Sequence, residues 1–443
     1  MTDSTAAIPS KIKGKFDPPD SPHSVGWTVA RHCDLATADK PFALEYGGAL
    51  AQLTVEYEVY GELSAARDNA VLICHALSGD AHVAGWDAKA KDDPRLKWRQ
   101  THPGWWDAVI GPGKPVDTSR FFVICANVIG SCYGTTGPQS IDPATGRPYA
   151  LHFPMVTVAD WVNMERMLLS RLGIGHLYAV IGGSLGGQQA LEWSLRYPEM
   201  IGKCIIMASG PKLPAQGLGF NAVARHAIIR DVNFSGGDYY DQPIKPDAGL
   251  AVARMLAHIT YLSGKGMDFK FGRRRVGSTQ DPRGFGMEFD VEGYLDHQSR
   301  SFVQRFDANS YLYITRAMDY YDAASSWCSP AVLEQFPEPS GTAEPEYLRR
   351  REAAMLTDAC RRIKSELMVV SFSSDWLYPP TKCRDFVNAF IATGRPVTYV
   401  EIQSESGHDA FLVDTGPVGR LLRAYLHDRG INRRFSTIKA QQD

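Results

Sequence analysis

Residues 177–198 read LYAVIGGSLGGQQALEWSLRYP: an apolar run, then Gly182-Gly183-Ser184-Leu185-Gly186, then a helical segment that stops before Pro198. No other stretch limits the fold as strongly. A strand that turns this sharply into a helix strains the backbone of its central serine, and side chains at the flanking glycines would strike the adjoining strand and helix. The Ser184 hydroxyl is thereby pushed out above the sheet. A G-x-S-x-G pentapeptide can also be an ordinary Gly-rich turn; the strand before it and the helix after it supply the context that a nucleophile elbow requires.

The rest of the chain repeats that rhythm. Short apolar runs at 54–60, 70–74, 121–128, 177–181, 204–208, 367–372 and 397–402 alternate with helical segments, which implies a mostly parallel sheet flanked by helices. Between about 209 and 366 the text becomes helical and polar, with 248–262 and 307–321 the clearest helices by period. The expected organisation is an α/β-hydrolase fold with an inserted helical cap. An N-terminal arm covers 1–40, the core 41–210 and 366–435, and the cap 211–365, with a Pro-rich loop near 329–345. At 443 residues, 44% of them hydrophobic, the chain can bury a large core.

Composition excludes several classes of partner. Lys plus Arg is 47 against 49 for Asp plus Glu, leaving no positive excess to neutralise phosphates or grip an anionic membrane, so nucleic acid is not expected. No stretch approaches the roughly 20 apolar residues of a membrane span, and the first twenty residues carry no leader-like apolar run, which predicts a cytoplasmic protein. The eight cysteines are scattered without a C-x-x-C pair and read as reduced, mostly core thiols. Neither metal-ligand spacing nor a phosphate-cradling glycine motif occurs, so no metal, nicotinamide or ATP is implied.

A serine hydroxyl is a weak nucleophile near neutral pH. It needs a base to take its proton and a carboxylate to orient that base. In this architecture both partners follow the serine, acid first. Asp375 follows the run LMVVSFSS, and His408 in SESGHDAF follows VTYVEI, so both fall at strand C-terminal ends. The oxyanion formed in acyl transfer needs two donors, expected as the Leu185 amide and, from VLICHALSGD, the Leu77 amide. His75 in that segment ends an apolar strand and reads as structural.

Longer blocks carry a resemblance to the homoserine O-acyltransferases of methionine biosynthesis: CHALSGDAHVAG, NVIGSCYGTTGP, VIGGSLGGQQALEW, FNAVARHAIIRDVNFSGGDYY, GLAVARMLAHITYLS, RFDANSYLYITRAMDYYD, SFSSDWLYPP and SGHDAF. They span about 40–325 and 360–425. The resemblance implies that Ser184 takes an acyl group from acyl-CoA and passes it to the homoserine hydroxyl, with ping-pong kinetics. It implies L-homoserine and acyl-CoA as substrates, no bound cofactor, and a homodimer. The family's carboxylate-binding arginine matches Arg254, which on a helix shares a face with Leu250, Ala257, His258 and Tyr261 and there needs an anionic partner. Asp409 matches a position that contacts the substrate, and the resemblance implies a pairing with its amino group.

For the donor, relatives that use succinyl-CoA carry an arginine directly after the Asp-Trp pair, where this chain has Leu377. An apolar side chain offers no charge-assisted bond to a second carboxylate, so acetyl-CoA is the expected donor. Succinyl transfer remains open, and so does serine as acceptor, since the one methylene that separates it from homoserine is worth only about 1–3 kcal/mol in a pocket. An esterase and a non-catalytic binding protein on the same scaffold are the more distant alternatives.

Overall fold

The computed structural model describes residues 16–427 other than 91, 93 and 276–285. Residues 1–15 of the expected arm and 428–435 of the expected core lie outside the described residues. Eight strands form the main sheet: β1 (Arg31–Ala36), β2 (Leu53–Tyr60), β3 (Ala70–Cys74), β4 (Phe122–Ala126), β5 (Leu177–Gly183), β6 (Ile201–Met207), β7 (Glu366–Phe372) and β8 (Val397–Ile402). Their spatial order is β8-β7-β6-β5-β3-β4-β2-β1. Pairing is parallel from β8 to β4 and antiparallel for β4 with β2 and β2 with β1.

The central strands β3 and β5 are buried on both faces, which explains their continuous apolar text. In β3, Leu72 and Cys74 face one side of the sheet while Val71 and Ile73 face the other, and each side has its own apolar core. Fully burying a Val or Ile of this kind contributes about 1.5–3 kcal/mol. Helices α1 (Val158–Arg171) and α2 (Leu185–Arg196) cover the first core, and the C-terminal Thr415–His427 helix covers the second. Cys74, Cys125, Cys204, Cys360 and Cys383 are buried, as the sequence predicted of most thiols.

One strand was hidden in the expected arm. β1 pairs with β2 from Arg31 opposite Tyr57 to Ala36 opposite Leu53, so the sheet begins inside residues 1–40 rather than after them. Its text, RHCDLA, has no apolar run because an edge strand keeps charged residues on its exposed side. The stretch expected as a Pro-rich loop also holds structure, a short helix at Pro330–Gln335. Proline is favoured at the first turn of a helix, so a Pro-rich text is not evidence against one.

Between β6 and β7 the chain builds helices α3 (Ala215–Ile229), α4 (Asp247–Tyr261), α5 (Asp290–Val303), α6 (Ala308–Tyr320) and α7 (Pro345–Cys360). α4 packs between α3 and α5. α6 is capped by Asp307, whose carboxylate accepts from the Ser310 amide at 2.8 Å and from Tyr239 Oη at 2.7 Å. The end of α4 is pressed onto the loop after β8. Gly407 there has φ 69°, and a Cβ on it would lie 2.6 Å from the Tyr261 carbonyl oxygen, so that approach requires glycine.

Candidate active site

Ser184 stands between β5 and α2 with φ 55° and ψ −124°, a conformation that costs of the order of 1–3 kcal/mol and is typical of functional turns. The turn is possible because Gly182 and Gly186 meet backbone to backbone: a Cβ on Gly182 would lie 1.9 Å from the Gly186 carbonyl oxygen. The glycines predicted from the motif are thus required by contact distance.

Asp375 follows β7 and His408 follows β8, at the same end of the sheet as Ser184. His408 Nε2 lies 2.8 Å from Ser184 Oγ, and His408 Nδ1 lies 2.9 Å from Asp375 Oδ2. The second carboxylate oxygen accepts from the Leu377 and Tyr378 amides, each at 2.9 Å. Exposures of 7% for Ser184, 3% for Asp375 and 2% for His408 remove most of the competing water. The three side chains predicted from separate parts of the sequence are brought into one hydrogen-bonded line. Such a line can move a proton from a serine hydroxyl to a ring nitrogen and back.

Burial by itself lowers the His408 pKa, but the charge and hydrogen bond of Asp375, helped by Asp409, outweigh it and hold the imidazole above its ordinary value. Tyr378 stacks on the ring at 5.7 Å, and Phe411 meets it edge-on at 6.0 Å, fixing its plane.

Ser184 opens into a cavity lined by Leu77, Ala257, Tyr261, Tyr311 and Leu377 among others. Leu77 lines this cavity and Leu185 follows Ser184 at the start of α2; among the described residues neither amide donates to a protein acceptor. His75, by contrast, is buried with Nδ1 2.8 Å from the Ala76 carbonyl oxygen, and burial lowers its pKa, in keeping with the structural reading.

The roof comes from the helical segment. Arg254 on α4 lies over the Phe302 ring at 4.5 Å and the Tyr261 ring at 5.8 Å, and its nearest polar partner is Ser78 Oγ at 3.5 Å. Among the described residues it forms no ion pair, and Nε has no hydrogen-bond partner. Burial lowers its pKa, partly offset by Tyr261 and Asp409. Burial raises the Asp409 carboxyl, against the pull of His408 and Arg254. His258, one turn beyond Arg254, is pushed down to about 3 by burial and by the cations Arg254, Lys270 and Arg305, so it stays neutral. An incompletely paired guanidinium and a carboxylate, both acting on the space beside His408, can receive a ligand that carries both charges.

Sequence reading missed several parts of this wall. Tyr311 and Asn221 line the cavity, and Tyr378 packs on the histidine. Ser78 and Arg305 meet beneath Arg254. The signal was present in the blocks FNAVAR and RFDANSYLY, but no spacing rule says which residues of two distant helices face one cavity.

Comparison with known proteins bears on the fold and the family. A family model described as alpha/beta hydrolase fold matches residues 69–415. The homoserine O-succinyltransferase of Laribacter hongkongensis is 46% identical over 405 residues, covering 91% of this chain and 96% of that one. The protein of the same name from Cupriavidus necator is 46% identical over 430 residues, covering 97% and 98%. Among solved structures, homoserine O-acetyltransferase from Bacillus anthracis superposes with a TM-score of 0.75 at 26% identity, covering 90% of this chain and 98% of that one. Esterase E22 superposes with a TM-score of 0.73 at 28% identity, covering 90% and 99%. With a fold model over most of its length and relatives of this identity along nearly the whole chain, the protein belongs to the homoserine O-acyltransferase family within the α/β-hydrolase fold.

Proposed function

We propose that this protein transfers an acyl group from acyl-CoA to the hydroxyl of L-homoserine, a step of methionine biosynthesis, through an acyl ester on Ser184. His408 Nε2 takes the Ser184 proton as Oγ attacks the thioester carbonyl. The oxyanion rests on the Leu77 and Leu185 amides, and collapse expels the CoA sulfur, which leaves as the thiol with the proton from His408. Homoserine then gives its hydroxyl proton to the same nitrogen and attacks the ester carbonyl. Collapse of the second intermediate returns the proton to Ser184 and releases the O-acyl amino acid.

The observation that carries this reading over simple hydrolysis is Arg254, a roof cation without an ion pair, beside Asp409. Arg254 would take the substrate carboxylate and Asp409 its ammonium group. Two ionic anchors hold the hydroxyl where water has none, which raises its effective concentration at the ester.

The name shared by the 46–47% identical relatives supports succinyl-CoA as donor ahead of acetyl-CoA. One observation favours acetyl as a second reading. Leu377 is buried in the wall beside Ser184 and its apolar side chain offers no charge-assisted bond, so a succinyl carboxylate placed against it would lose hydration without gaining a counter-charge from that residue. The test follows free thiol with each acyl-CoA, with and without L-homoserine or L-serine, and identifies the product by mass. Homoserine-dependent release of thiol with either donor supports the proposal. Release indifferent to any amino acid would make the protein a hydrolase, and a preference for serine would overturn the acceptor.

A further inference from the structure

Arg305 lies between α5 and α6, next to the active-site roof. Its Nη1 donates to Tyr133 Oη at 2.7 Å and to the Ser78 carbonyl oxygen at 3.3 Å. The guanidinium lies over the Trp98 and Phe302 rings, 5.2 Å from each centroid. All four partners are neutral, and among the described residues Arg305 forms no ion pair. The same Phe302 ring carries Arg254 at 4.5 Å, and the same Ser78 meets Arg254 through its hydroxyl at 3.5 Å. One ring and one serine therefore tie two guanidinium groups together, and the charge of Arg305 works against that of Arg254. Holding two like charges close, partly out of water, is unfavourable until an anion joins them.

We infer that Arg305 is a positioning residue for the amino-acid acceptor: its charge strengthens the hold of Arg254 on the substrate carboxylate, and its bond to Ser78 keeps that serine under Arg254. This rests on the reading of Arg254 as the carboxylate receptor. Arg305 makes no contact with the Ser184 hydroxyl, so where a donor to the Ser78 carbonyl is kept, formation of the acyl ester should not depend on its charge. The loss of one nearby charge should raise the KM for homoserine about tenfold.

The test separates the two half-reactions. The burst of thiol from acyl-CoA alone reports ester formation, and steady-state transfer reports the acceptor. Arg305→Gln keeps amide donors for Ser78 and Tyr133 and loses the charge. It is expected to raise the homoserine KM about tenfold while the burst rate stays within about twofold of the parent. Arg305→Lys, which keeps the charge, is expected to restore most of the KM. Arg305→Met serves as a second neutral variant. A parental KM in Arg305→Gln, or a KM in Arg305→Lys as high as in the neutral variants, overturns the inference. So does a fall in burst rate and kcat at unchanged KM, which would mark a purely structural arginine. If the parent protein shows no homoserine-dependent thiol release, the functional reading itself has failed, and the role of Arg305 falls with it.

Discussion

Ser184, Asp375 and His408 stand on loops at strand ends, whereas Arg254, Tyr261 and Tyr311 hang from helices inserted between β6 and β7. The strand-end groups are set by short turns on a sheet buried on both faces, and they meet at 2.8 and 2.9 Å. The helix-borne groups are set by packing of α4 against α3 and α5 and of α6 against α3, and Arg254 reaches its nearest polar partner only at 3.5 Å. The first group is prearranged for chemistry that many hydrolase-fold proteins could perform. The second is less completely paired, and on the proposed function it is where the acceptor would be chosen. Mutants in the two regions should therefore fail differently: strand-end changes should abolish both half-reactions, and roof changes only the second.

Ser184→Ala gives the largest expected effect. Without Oγ no ester forms, and thiol release from acyl-CoA should fall by about 10⁴-fold or more, with or without homoserine. The fold should persist, because alanine fits the same turn and only the His408 hydrogen bond is lost, worth about 1 kcal/mol. Residual release above about 1% of the parent would place the nucleophile elsewhere.

Arg254→Ala should leave the thiol burst from acyl-CoA near its parent rate while kcat/KM for homoserine falls about 100-fold, the scale of one charge-assisted anchor at roughly 3 kcal/mol. The comparison breaks if burst and transfer fall together, since Arg254 would then be holding the cavity in shape instead of receiving the acceptor. Leu377 joins the two regions: its amide orients Asp375, and its side chain lines the cavity. Leu377→Arg keeps the amide and adds a cation beside the ester, so the succinyl-to-acetyl ratio of kcat/KM should rise about tenfold. An unchanged ratio would remove residue 377 from donor choice.

The same division decides what could be read from sequence. The elbow, its acid and its histidine are legible because each sits just past an apolar strand, where the local text alone fixes the direction in which the side chain leaves the sheet. Arg254 is legible as one face of one helix: Leu250 and Ala257 are buried and Tyr261 lies beside it, as the spacing implies. Tyr311, Ser78 and Arg305 are not, because their place depends on how α6 and the loop after α5 pack on the strand-end loops, a relation between residues 78, 254 and 305 that no local period encodes. β1 escaped for a different reason: an edge strand needs only one apolar face, and its partner supplies the pairing.

The smallest expected effect concerns Asp409, which touches both regions by sitting between His408 and Arg254. His408 must be neutral to take the Ser184 proton, so the acylation rate should fall as pH drops through the histidine's raised pKa. Burial opposes that rise, Asp375 supplies most of it, and Asp409 adds to it. In Asp409→Asn the added negative charge is gone, the imidazolium is less favoured, and the acid limb of the thiol burst should move to lower pH. The sign follows from which form works: a base with a lower pKa stays deprotonated further into acid. Acyl-CoA alone is the proper substrate here, because the same substitution removes the proposed partner of the homoserine ammonium and would raise its KM at every pH. An acid limb that stays in place or moves upward would mean that Asp409 does not act on His408, and would leave it to the acceptor side of the active site alone.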